Sequence, residues 1–142
     1  MQIIMKQDLP LLVSTELLTL CQHHIDINNV SPISDVYIYF SDPRFTPEKG
    51  GYLPVDFDFD KEGYLNGIIV YQYVYSHADP IPDLIERFNL NFDWGCLAFR
   101  GQTRSLEYIS VEFLIWQTRF LRSVKRGVYD ITVAEVTDYV EA

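Results

Sequence analysis

A chain of 142 residues has the length of one domain, and burying roughly 70% of its unfolded surface lets it fold without a metal or a disulfide. With 48% hydrophobic and 22% charged residues and a mean hydropathy near zero, it is neither a disordered tail nor a collagen-like fibre, and no apolar run approaches the ~18 residues of a bilayer span. Its 20 acids against 11 bases give a net charge of −9; that is the reverse of the balance that phosphate neutralisation requires, so general nucleic-acid binding is disfavoured.

Val13, Leu17, Leu20, Cys21 and His24 recur at helical spacing, with Ser14 or Thr15 as N-cap, and predict a helix over about 13–26. The β-branched and aromatic run from Val36 to Phe40 predicts a strand over 36–40. A loop punctuated by Asp42, Pro43, Pro47, Gly50, Gly51 and Pro54 follows. Val55, Phe57 and Phe59 then alternate with Asp56, Asp58 and Asp60, which predicts a strand over about 53–60 with an acidic face. Gly63 and the pair Asn66 and Gly67 read as a turn, and a third strand is expected over 68–76, forming a hairpin with the second. Pro80 and Pro82 suggest the start of a short helix over about 82–88. The aromatic segment 89–99 shows no single period. Leu106, Ile109, Phe113, Trp116, Phe120 and Val124 form one stripe, which predicts a long helix over about 104–126 stopped by Gly127. Tyr129, Ile131 and Val133 alternate in a last strand over about 128–136. Strands that run consecutively before the main helix predict a single α+β domain spanning 1–142. Its sheet is expected to be twisted and mostly antiparallel, with the N-terminal helix and the long C-terminal-half helix packed on it.

The amino terminus shows no signal-peptide pattern, and Cys21 and Cys96 read as reduced, buried thiols, so a cytoplasmic protein is expected. The aspartates at 56, 58 and 60 occupy the first acidic positions of a calcium loop, but Lys61 and Gly67 stand where that loop needs Gly and Glu. His23 and His24 are adjacent on a helix and His77 is remote, and no C-x-x-C or H-E-x-x-H motif occurs; no metal and no cofactor are expected. No G-x-S-x-G elbow is present and Cys96 has no histidine beside it in sequence, so no catalytic residue is assigned and the protein is expected not to be an enzyme.

Charge is uneven: residues 1–99 carry −9, residues 100–126 carry +4 and residues 127–142 carry −4. Tyr37 and Tyr39, and likewise Tyr71, Tyr73 and Tyr75, repeat at period two. Each set therefore shares one sheet face, and tyrosine-rich faces are enriched at protein interfaces. Two binding surfaces follow, an acidic face of Asp56, Asp58 and Asp60 or a tyrosine face, for a protein partner with a basic surface.

The run from Phe40 through Asp42, Pro43, Phe45, Gly50, Gly51, Tyr52 and Pro54 to Val55 resembles the signature of an uncharacterised bacterial family of unknown function found on genomic islands. The likeness covers roughly 36–136, including the helix from Phe113 to Gly127. It implies a fold similar to that of the acidic mitochondrial matrix protein that binds complement globular heads. That protein is a helix-flanked antiparallel sheet acting through partners, and it makes a homo-oligomer compatible with this chain. The family supplies no catalytic residues. Beside the resemblance, Asp42, Arg44, Glu48 and Tyr52 are the polar residues that the loop offers for binding. A small-molecule or minor enzymatic site beneath 42–54 is one alternative function. Nucleic-acid contact by the Arg119–Arg126 helix end, or acidic mimicry of nucleic acid, is another.

Overall fold

The computed structural model describes residues 1–6, 8–31, 34–46, 48–76, 79–99 and 101–136. Helix α1 spans Thr15–Ile27; strands follow as β1 (Asp35–Ser41), β2 (Val55–Phe59), β3 (Leu65–Ser76), β4 (Asp79–Asn91), β5 (Cys96–Phe99) and β6 (Gln102–Ser105). A 3-10 turn over Leu106–Ile109 leads into helix α2 (Ser110–Lys125), and β7 (Asp130–Val136) ends the described chain. The strands form one sheet in the order β6-β5-β4-β3-β2-β1-β7, every pair antiparallel. The expected α+β domain is therefore the observed one. Among the described residues no helix is long and apolar enough to cross a membrane.

Alternation decides which face is covered. Val36, Ile38 and Phe40 of β1 and Val55, Phe57 and Phe59 of β2 are buried, while the residues between them are only half-buried on the opposite face. Phe40 sits at the centre of the covered side, its ring 5.0 Å from Phe120, 5.5 Å from Phe57 and 5.9 Å from Tyr129. Ser14 caps α1 by accepting from the Leu17 N–H, and Leu17, Cys21 and Ile25 form its buried stripe. Buried Gln117 joins the helices: its side chain accepts from the Ser14 N–H at 2.9 Å and donates to the Leu12 carbonyl at 3.2 Å. Such a satisfied amide fixes register where an apolar contact alone would slide. Burial pushes the Cys21 thiol up, which keeps it inert; Cys96 is only half-buried, not a core thiol, and both cysteines are free.

Three expectations about secondary structure are corrected. The short helix over 82–88 is instead the body of β4, paired with β3 along its length. A bulge in β4 breaks the two-residue period there, so Leu84, Ile85 and Phe88 fall at helix-like spacing in an extended strand. The pair Asn66 and Gly67 lies inside β3, not in a turn, because the reversal is completed earlier, by the hydrogen bond from the Gly63 N–H to the Asp60 carbonyl. The long helix begins at Ser110, since the preceding residues form the edge strand β6 and the 3-10 turn. Segment 89–99 resolves into the end of β4, a turn and β5. His77 lies outside the described residues.

Because Phe40 fills the centre of the aromatic cluster, Phe40→Ala is expected to lower unfolding stability by about 3–5 kcal/mol. Urea denaturation monitored by far-UV circular dichroism measures this loss.

Candidate functional site

The face of the sheet turned away from the helices carries the predicted acidic and tyrosine residues together. Register sets Tyr39 opposite Asp56 and Asp56 opposite Ile69, while Tyr37 lies opposite Asp58 and Asp58 opposite Gly67. Directly opposed residues point to the same side, so Asp56 and Asp58 stand in a row flanked by β1 tyrosines. Tyr71 approaches from β3, its ring 6.5 Å from that of Tyr39 and edge-on to it. The acidic face and the tyrosine face are one surface.

The three aspartates do not form one solvated row. Asp56 and Asp58 are half-buried, and Asp56 Oδ1 is fully buried without a hydrogen-bond donor among the described residues. Burial, then the charge of Asp58, pushes the Asp56 carboxyl up to about 6. Burial, then Asp35 and Asp60, pushes Asp58 up to about 6. The same charges raise the tyrosines: Asp58 first for Tyr37, and burial first for Tyr39 and Tyr71. The phenols therefore stay protonated donors beside carboxylates that ionise late. Asp60 lies beyond the end of β2 and has a structural task, its Oδ1 accepting from the Glu62 N–H at 2.9 Å and the Tyr64 N–H at 3.0 Å.

The 42–54 loop divides its residues between two tasks. Asp42 builds the loop: Oδ1 accepts from the Arg44 N–H at 2.9 Å and Oδ2 from the Tyr52 N–H at 3.0 Å. Gly51, at φ +149, is required here, because a Cβ would come within 2.7 Å of Asp42 Oδ2. Arg44 and Glu48 are exposed, and Tyr52 turns toward Tyr129, with ring centroids 6.0 Å apart. Phe45 reaches the open face and stacks on Tyr73 at 4.4 Å. A groove of about 740 Å³ lies away from this loop, between α2 and β4–β5. At the C-terminal end of α2, Lys125 is paired with Glu16.

Sequence reasoning missed Asp35, Glu86 and Phe45. Asp35 precedes Tyr37 by two residues, so the period of β1 carried its signal. Glu86 reaches Tyr71 only because of the β4 bulge. Phe45 stands in the loop signature, but its contact with Tyr73 is made across the chain and has no local signal. Among the described residues no group of three His, Cys, Asp or Glu side chains is placed to hold a metal.

Residues 14–134 match the family described as "Protein of unknown function (DUF2787)". Among curated proteins none matches the sequence. Two solved structures from Vibrio cholerae share the fold. The hypothetical protein VC0508 from the VSP-II pathogenicity island superposes with a TM-score of 0.74 at 18% identity, over 90% of this chain and 98% of its own. The conserved hypothetical protein VC1805 from pathogenicity island VPI-2, described as sharing structural homology with the human P32 protein, superposes with a TM-score of 0.75 at 18% identity, over 92% of this chain and 100% of its own.

Because the folded carboxyls at 56 and 58 hold their protons up to about 6, against 3.8 for a solvent-exposed carboxyl, the folded state binds more protons than the unfolded one between these pH values. Stability is greatest below the lower value, falls through the window and stays low above it. Asp56→Asn or Asp58→Asn is therefore expected to raise stability at pH 8 by about 1 kcal/mol each, with solvent screening reducing the full shift. Urea melts should show that gain disappearing near pH 4.

Proposed function

This chain belongs to the DUF2787 family of proteins of unknown function, and we propose that it is a non-catalytic binding protein of the cytoplasm whose open sheet face docks a protein partner with a basic surface. One observation carries the reading: Asp56 and Asp58 are half-buried among tyrosines, with no cation paired to either among the described residues. A surface carboxylate loses its water when a partner docks, and that loss offsets much of the attraction. Here folding has already removed part of the water, so an arriving lysine or arginine meets a smaller further penalty. The faces of Tyr39 and Tyr71 add cation–π attraction, and the phenols supply donors to backbone carbonyls of the partner.

The composition supports the same reading through long-range attraction, since a net charge of −9 steers cationic surfaces toward the protein at low salt. The resemblance of the loop residues supports it too, since the fold it implies is that of an acidic protein that acts through partners. So does the kinship with P32 stated for VC1805, a protein of the same fold.

The test is capture of protein partners from the source cell's lysate by immobilised wild type and by the Asp56→Asn/Asp58→Asn double variant. The reading expects a salt-released basic protein on the wild type, reduced about tenfold or more on the double variant. It also expects weaker capture at pH 5 than at pH 7.5, because both carboxyls, pushed up to about 6, are then protonated. Equal capture by wild type and double variant contradicts it.

A further inference from the structure

On the helix-covered side of the sheet, a groove of about 740 Å³ opens between α2 and the β4–β5 wing, a volume within the ~300–1,000 Å³ typical of small-molecule sites. Its walls are aromatic: the Phe88 and Trp116 rings stand perpendicular at 5.8 Å, and Phe99 lies 6.3 Å from Tyr108. Glu112, Trp116 and Arg119 line it from one side of α2.

Arg87 faces them because of an irregularity in the sheet. Val70 lies opposite Phe88, yet the next residue, Tyr71, lies opposite Glu86, so Arg87 is the extra residue of a β-bulge. In an unbroken strand Arg87 and Phe88 would point to opposite faces; the bulge lets both line the groove. Arg87 and Arg119 are exposed, and among the described residues neither forms an ion pair, the pairs present being Lys6 with Asp93 and Lys125 with Glu16. Two unpaired guanidiniums beside aromatic walls, in a chain of net charge −9, match a flat apolar body with an anionic end. Arginine's planar fork suits a carboxylate in particular. Glu112, the one acid among the described lining residues, opposes a second negative charge on the ligand.

We infer that this groove binds a small aromatic monocarboxylate, with its ring among Phe88, Phe99, Tyr108 and Trp116 and its carboxylate held by Arg87 and Arg119. The site is on the opposite side of the sheet from Asp56 and Asp58 and does not depend on them.

The chain has two tryptophans, and Trp94 is 80% exposed, so Trp94→Phe leaves Trp116 as the sole reporter in the groove. Its emission is followed during titration into the millimolar range with 3-phenylpropionate and 4-phenylbutyrate, and with 3-phenylpropanamide as the uncharged control. A saturable change with the acids is expected, about tenfold weaker with the amide and about tenfold weaker after Arg87→Met or Arg119→Met at unchanged melting temperature. Arg87→Lys and Arg119→Lys replace any methionine variant that melts early, and are expected to weaken binding severalfold because the fork is lost. The proposal is overturned if neither acid gives a saturable change, if the amide binds as well as the acids, or if the arginine variants bind unchanged. It is equally overturned if Trp116 emission shifts with protein concentration alone, which would mark a second copy as the occupant.

Discussion

The two-residue alternation of β1 and β2 is the constraint from which the rest of the molecule follows. Val36, Ile38, Phe40, Val55, Phe57 and Phe59 must all point toward the helices, since they supply the floor against which Phe113 and Phe120 pack. A slip of one residue in either strand would send its whole apolar set to water and its tyrosines or aspartates into the core. Holding this register forces Tyr37, Tyr39, Asp56 and Asp58 onto the other face at adjacent positions. The raised carboxyls of that face are thus a consequence of building the core, and they oppose stability at neutral pH. Half-buried carboxyls among tyrosines set this face apart from an ordinary solvated one.

The opposite side has another chemistry. There α2 and the outer strands enclose aromatic rings between arginines, whereas the central part is closed by Phe40, Phe120 and the Gln117 tie to the start of α1. The sheet accordingly separates an acidic, phenolic face from a cationic, apolar groove. The β4 bulge contributes to both, placing Glu86 beside Tyr71 on one face and Arg87 beside Phe88 on the other.

Much of this was legible in the residues. The Val36–Phe40 and Val55–Phe59 alternations, the α1 cap at Ser14 and the α2 stripe ended by Gly127 are local signals; α1, β1 and β2 formed close to their expected bounds, and α2 did so at its C-terminal end. Strand β4 was hidden because Pro80 and Pro82 read as a helix start, and pairing with β3, a contact that no short window contains, overrides that signal. The short strands β5 and β6 were obscured in the same way, their stability coming from neighbours and not from their own composition. At the site, period two located Asp56, Asp58 and the tyrosines, but not that the two sets share a surface. That depends on strand order. Nor does sequence spacing encode the contacts of Asp60 and Asp42, whose carboxylates accept from backbone N–H groups of their own turns.

The most direct test of this account is a pH titration of the carboxyl carbons of Asp56 and Asp58 in the free protein by NMR. Both are predicted to titrate near 6, well above the ordinary 3.8, and to fall when a basic partner docks. Midpoints near the ordinary value for both would show a solvated acidic surface and would contradict the claim that the fold holds these carboxylates partly dehydrated for a cationic partner.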